Sequence, residues 1–438
     1  MTWQPNRRQF VALGGAAASV GLIGTGARAQ SATTLRVGAV FPSRSGATRT
    51  LTSITDFIGE GARQGALLAE GRVETLDPGL DMLVLQASAP TPEAAIRATE
   101  RLIELEEIDV LLGGVGDGQL EVMTPLAESA NIPLFNVGTQ ADAYRNNSCS
   151  RHVFHVEASD AMYLDAMIAW SASQGHRRWF VVHEDNPRGF DMRTRVLKSI
   201  EKFGQGGEAV GGAATQIEQP IYLTEIDQAR RAEADSMLVL LSAVDQIAFF
   251  GQLETSRFEV AALPFPDPVT QTRDYVLAIR QIMVGYTPVD KFQLWDPTIE
   301  TNGGGAFNEA YAGRFAGPAD PTAWSAYSAA KIYYEAVRAV GSKDTGAVIE
   351  YLESGVEFDV FKGPGTSFRP WDHQLRQPLY RAKIDIEYDV QIATVAADLP
   401  SQLAVVNVEE TVPAGDGSDP IATLDQYGDG PEDSTCRF

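Results

Sequence analysis

At 438 residues the chain is long enough to bury more than one core, and its 44% hydrophobic and 21% charged residues are ordinary for a soluble α/β protein. A formal net charge of −23 argues against binding a phosphate backbone, since an acidic protein repels the polyanion instead of releasing its counterions. Beyond that, the charge bears on solubility.

The N-terminus places Arg7 and Arg8 before a mild apolar stretch, Val11 to Gly26, which ends in Ala27-Arg28-Ala29. A charged head, a short apolar run and an A-x-A site describe a secretory signal peptide over residues 1–29, and the paired arginines match a twin-arginine export signal. The apolar run is too short and too rich in glycine to make a good membrane span. The expected mature protein is soluble and periplasmic, with cleavage near Ala29.

The run Leu35 to Phe41 reads as a buried first strand, ending in the loop Pro42-Ser43-Arg44-Ser45-Gly46. A helix is expected from about Ile54 to Glu70, a strand over Met82 to Leu85, and a helix opened by Pro92. From Ile108 to Thr139 the chain carries an apolar run, a glycine-rich turn (Gly113 to Gly118), a helical stretch and a second short run ending at Gly138-Thr139. That is one βαβ unit. Strands separated by helices call for a parallel sheet covered on both faces, with ligands in the crevice beyond the strand C-termini.

A second βα series begins near Val156. Ser159-Asp160 reads as a helix N-cap, Arg178 to Val182 as a strand running into His183-Glu184-Asp185, and Met237 to Leu241 as a strand ending at Ser242, with another over Phe258 to Leu263. Ile282 to Tyr286 reads as a connecting strand. Helices are expected near Ala306 to Phe315, from Pro321 onward, and over Val348 to Ser354, followed by a strand-like run from Leu379 to Ile392. After about Ala396 the rhythm fades into an acidic tail that ends Cys436-Arg437-Phe438. The two cysteines, Cys149 and Cys436, are either a disulfide or two unpaired thiols; both readings stand.

Chemistry-bearing motifs are sparse. The turn Gly113-Gly114-Val115-Gly116-Asp117-Gly118 fails the G-x-G-x-x-G fingerprint, because Gln119 stands where the third glycine belongs. Its glycines fit a tight turn or close backbone approach to a small ligand, and no cofactor is implied. His183, Glu184 and Asp185 lack metal-ligand spacing, so no metal site is expected. His152 and His155 read as structural, and Asp385, Glu387 and Asp389 as a solvated strand edge. No catalytic motif is present, which argues against an enzyme.

In this order, the stretches LRVGAVFPSRSG, IDVLLGGVGDG, IPLFNVGT, RHVFHVEASD, FNEAYAGRFAGPADPTAWSAYSAAKIYYEAV and GPGTSFRPWDHQLRQPLY resemble the type 1 periplasmic substrate-binding proteins of ABC importers, the branched-chain amino acid and amide receptor group. More narrowly, CSRHVFHVEAS, GHRRWFVV, SFRPWDHQLRQP and LDQYGDGPEDSTCRF resemble binding proteins encoded with pyrroloquinoline-quinone-dependent alcohol dehydrogenase systems.

The resemblance implies two doubly wound parallel-sheet lobes joined by a three-crossover hinge. Residues 33–156 plus 282–350 would form one lobe, 157–281 plus 351–395 the other, and 396–438 an acidic extension. It implies first-lobe ligand contacts at Ser43, Arg44, Gly116, Asp117, Gly138 and Thr139, and second-lobe contacts at His183, Asp185, Ser242 and Asp245. Amino acid receptors usually carry a serine where Asp117 stands. A carboxylate there repels a ligand carboxylate, so a neutral, cationic or metal-bearing ligand suits it better unless Arg44 neutralises it. The implied partners are a small molecule (an amino acid, an amide or a compound of alcohol metabolism) and a membrane permease. The alternative is an accessory or sensor protein of a periplasmic quinone-dependent alcohol oxidation system, acting through protein partners.

Overall fold

The computed structural model describes residues 33–42, 54–73, 77, 79–116, 118–272, 275, 290–384, 406–415 and 417–438. The expected signal peptide, Ser43, Arg44, Asp117, the strand at 282–286 and the carboxylates at 385, 387 and 389 lie outside the described residues.

Five parallel strands make the first sheet: β1 (Thr33–Phe41), β2 (Leu80–Ser88), β3 (Val110–Gly113), β4 (Leu134–Asn136) and β5 (Val153–His155), in the order β2-β1-β3-β4-β5. Val37 is the register point, facing Val84 on one side and Val110 on the other. Leu35, Val37 and Phe41 are all buried, as expected of a strand with helices on both faces. The intervening helices are α1 (Ile54–Val73), α2 (Pro92–Glu106) and α3 (Gln119–Ala130). Thr91 caps α2 by accepting from the Ala94 amide, with Pro92 in its first turn.

The second sheet repeats the plan with β6 (Arg178–Glu184), β7 (Glu208–Thr215), β8 (Ser236–Leu240) and β9 (Ala261–Pro264), in the order β7-β6-β8-β9 and parallel throughout. Helix α4 (Asp160–Ser173), capped by Ser159, leads into it; α5 (Pro187–Phe203), α6 (Leu223–Arg231) and α7 (Ala243–Ser256) connect its strands. On α5 the buried positions include Met192, Val196 and Ile200, whereas Phe190 and Leu197 are exposed. A third, antiparallel sheet joins β10 (Asp290–Gln293), β11 (Leu379–Ile384) and β12 (Val406–Val412) in that order, and packs beside β9 and α4. The tail thus contributes a strand, and also the short helix α11 (Pro420–Leu424).

Between β10 and β11 the chain returns to the first sheet as α8 (Gly304–Phe315), α9 (Pro321–Val340) and α10 (Thr345–Glu353). Helix α9 is buried on nearly every side and lies against α1. Gly65 on α1 lets the helices touch, since a Cβ there would sit 2.0 Å from the Ala323 carbonyl oxygen.

Stretches near Val156, near Leu294 and through residues 355–378 connect elements packed on different sheets. Buried polar groups knot these passages together. Glu157 Oε1 accepts from the Tyr163 hydroxyl (2.9 Å), and Gln271 Nε2 donates to that hydroxyl (3.2 Å). Gln271 Oε1 accepts the Leu294 amide (2.7 Å). Lys362 Nζ donates to the carbonyls of Leu294 and Pro378, and Gln374 and Gln377 donate to those of Glu157 (3.0 Å) and Val156 (2.6 Å). Burial pushes the Glu157 carboxyl up to about 7, against the hydrogen bonds from Tyr163 and Gln140 and the charges of Arg145 and Lys362.

An acid whose pKa is raised by folding contributes stability that is complete below its ordinary value and lost as the pH climbs through the folded one. For Glu157 that window runs from 4.5 to about 7, and the loss is roughly 3 kcal/mol. Glu157→Gln is expected to flatten the fall in unfolding free energy across this window, read by urea titration at pH 5 and 7.5. Parallel pH profiles for the two proteins would contradict the assignment.

Candidate functional site

Both parallel sheets reverse direction of winding at their first strand, so each opens a crevice at its strand C-termini: between β1 and β3 in one lobe, between β6 and β8 in the other. A cavity of about 590 Å³ lies where these ends face each other. One wall consists of Gly116 and Gly118 after β3, Gly138 to Ala141 and Tyr144 after β4, and Ile58 on α1. The opposite wall consists of Arg188 on α5, Glu218 after β7, Ser242 to Val244 after β8, and Asp267 to Val269 after β9. An adjoining cavity of about 410 Å³ shares Arg188, Ser242 and Asp267, and adds Met192, Leu240, Leu241 and Phe265. The larger cavity's lining is about evenly polar and apolar, and that of the adjoining one is more apolar.

The first wall is backbone held close by glycine. Gly116 and Gly118 have φ of 109° and 68°, in the region where a side chain is strained. A Cβ on Gly138 would come 2.9 Å from Val115 Cγ2. Asn136 fixes the turn by accepting the Thr139 amide (2.9 Å) and donating to the Thr139 carbonyl (2.7 Å), while the Thr139 hydroxyl donates to the Gly114 carbonyl (2.7 Å). Gln140, next along, donates to the Pro266 carbonyl (2.8 Å) and ties the two walls together at their base.

On the second wall, Glu184 spans the crevice, accepting the Ser242 amide (2.8 Å) and the Asn186 side chain (2.7 Å). Asp245 is 1% exposed and accepts from the Tyr222 hydroxyl (2.7 Å), the Ser242 hydroxyl (2.9 Å) and the Glu218 amide (3.0 Å). It organises the wall from behind. His183 is buried, with Nδ1 2.9 Å from the Glu184 carbonyl and its ring edge-on to Phe190. Asp185 is exposed and accepts from Gln216 (2.8 Å).

The structure thus brings together Gly116, Gly138, Thr139 and Ser242 at the cavity; His183, Asp185 and Asp245 do not line it. Gln140, Tyr144, Arg188 and Asp267 do, and they escaped sequence analysis although each follows a strand C-terminus. Arg188 is the one cation lining the larger cavity among the described residues, and it pairs with Asp160 (3.3 Å). No group of His, Cys, Asp and Glu suited to a metal ion occurs among the described residues.

His155, at the end of β5, is fully committed: Nδ1 accepts from the Asn136 amide nitrogen (3.0 Å) and Nε2 donates to the Tyr144 carbonyl (3.1 Å). Burial, with Arg145 and His373 nearby, holds its pKa well below the ordinary value, so the ring is neutral.

A model of a family described as "Periplasmic binding protein" matches residues 44–389. No curated protein sequence matches the chain. Among solved structures, a branched-chain amino acid ABC transporter periplasmic ligand-binding protein from Burkholderia xenovorans is similar, with a TM-score of 0.74 and 17% identity over 86% of this chain and 95% of that one. A solute binding protein from R. palustris in complex with benzoate gives a TM-score of 0.63 and 18% identity, covering 80% and 93%. A branched-chain amino acid transporter substrate binding protein from Streptococcus pneumoniae, in complex with isoleucine, gives 0.65 and 14%, covering 86% and 99%.

If Asp245 is a scaffold and Asp185 a surface group, alanine replacement separates them. Asp245→Ala leaves three donors without their acceptor and is expected to cost about 2–4 kcal/mol, whereas Asp185→Ala stays within about 0.5 kcal/mol. Urea unfolding of both variants checks this.

Proposed function

The chain belongs to the periplasmic binding protein family, and from that premise we propose that it captures a small molecule between its two lobes and delivers it to an ABC transporter permease. The family is one of substrate-binding proteins, not enzymes. The observation that carries the reading is the cavity of about 590 Å³ walled by strand C-termini of both lobes. A ligand that touches both walls only when they approach shifts the population toward the closed form. We assign β1–β5 with α1–α3 and α8–α10 to one lobe, and β6–β12 with α4–α7 to the other. The second passage then falls after Gln293.

The lining suits an amphoteric or neutral ligand. Arg188 would hold a carboxylate, Asp267 and Glu218 an amine, and Ile58, Pro268 and Val269 an apolar body. Amino acids, amides and acids derived from alcohol metabolism all fall within that description. In this reading residues 1–29 direct export through the twin-arginine route and are removed near Ala29, leaving the protein in the periplasm. Among the described residues no helix is long and apolar enough to cross a membrane.

The accessory role in alcohol oxidation requires a tail available to a partner. Residues 424–429 and 434–435 are instead hydrogen-bonded to the body of the protein, which favours the receptor reading.

Thermal unfolding of the mature protein against amino acids, amides, aromatic carboxylates and short hydroxy acids tests the proposal. One class is expected to raise stability by about 2.7 kcal/mol at a hundredfold excess over its Kd. For a carboxylate ligand, Arg188→Gln is expected to weaken binding about tenfold or more, as loss of a charge-assisted hydrogen bond does. Stabilisation by none of the classes would contradict the reading.

A further inference from the structure

The C-terminal segment is woven across the gap between the lobes, and its contacts fall into two groups. Residues 425–429 hold the second lobe and the third passage. The Asp425 carboxylate accepts from Arg369 and Arg376 (2.9 Å each), Gly428 donates to Asp165 on α4 (2.9 Å), and Lys202 on α5 donates to the Gln426 carbonyl (2.6 Å). The Tyr427 ring stands edge-on to Phe203 at 5.4 Å. Residues 434–438 hold the first lobe. Thr435 donates its amide to Asn146 (2.9 Å), Cys436 is joined to Cys149 by a disulfide, and Phe438 stacks at 4.2 Å on His373, which itself stacks on Phe154 of β5.

Asp429 is the pivot. One oxygen pairs with Arg195 on α5, which also grips both oxygens of the fully buried Asp165 (2.8 and 2.7 Å). The other oxygen accepts from Asn146 of the first lobe (3.3 Å). Removing one partner of such a buried pair is costly, because it strands the remaining charge. Beside it, a cavity of about 410 Å³ separates the loop 141–147 from α5. On this flank the tail links the two lobes across a gap, beside a direct bond from the Ala161 amide of α4 to Asp142 (3.0 Å).

Resting on the reading of two lobes that move about the three passages, we propose that residues 425–438 are a strap that limits how far the lobes open. Only residues 430–433 separate the two anchors, so Asp429 and Ser434 can part by at most about 18 Å at full extension. The loop that carries Asn146 and Cys149 also carries Ala141 and Tyr144 of the cleft wall. The strap therefore pulls on the wall itself. Spreading of α5 away from this loop is stopped by the link, and the disulfide prevents the far anchor from peeling.

The test needs no ligand. Small-angle X-ray scattering and hydrogen exchange are measured on the full mature chain, wild type against Cys149→Ser/Cys436→Ser/Asp429→Ala. The strap predicts a larger maximum dimension and about tenfold faster exchange in segments 156–160 and 370–378, as opening of a sub-global unit would give. Faster exchange confined to 425–438 and its contact loop, with unchanged dimensions, overturns the proposal. Should the triple variant not fold, the same two readings on folded wild type before and after dithiothreitol reduces the disulfide decide between those outcomes. Because lobe spacing is read directly, failure of the strap is distinct from failure of the ligand-binding reading, which thermal shifts report.

Discussion

The binding cleft depends on the buried polar knot where the chain passes three times between the lobes. Glu157, Tyr163, Gln271, Gln374, Gln377 and Lys362 come from distant parts of the sequence, yet each bonds to the backbone of a passage or to a side chain that does. Lys362 Nζ lies 4.6 Å from the Trp324 ring centre and 4.4 Å from that of Tyr380, so aromatic faces supplement its two carbonyl acceptors. Such a knot holds the passages in register within a continuous apolar core that includes Val156, Leu294 and Phe368. Partial satisfaction is its cost. One Glu157 oxygen has no hydrogen-bond partner, and removal of the carboxyl from water pushes its pKa upward.

The position of the cleft follows from the direction of the strands. In each lobe the first strand has its successor on one side and the next strand on the other, which leaves the two connecting loops diverging above the sheet. Glycines admit close backbone on the first wall, and Glu184 and Asp245 stiffen the second by capping loop amides and hydroxyls. The residues just beyond these braces, Gln140, Arg188 and Asp267 among them, line the cavity.

Much of this was legible in the sequence. Apolar runs alternating with helical stretches mark the parallel strands, Ser159 and Pro92 mark helix starts, and the turn from Gly113 to Gly118 marks a strand end at the cleft. The second-wall residues were less accessible, because a carboxylate after a strand reads alike whether it braces a loop, as Asp245 does, or faces solvent, as Asp185 does. On α5, Phe190 and Leu197 face outward, while Arg195 is buried and paired with Asp165 and Asp429. Periodicity misses β12 for a simpler reason: VNVEETV is a short edge strand whose partner, β11, carries no local signal of it. Its Glu410 is held by Arg381 (2.7 Å) across the pair.

Native mass spectrometry of the protein purified from the cells that make it, before and after denaturation, tests the central claim most directly. The account predicts one small molecule per chain, lost on unfolding and released intact, of a size that fits a cavity of about 590 Å³. A chain that carries no adduct and gains none when saturated with periplasmic extract would contradict it.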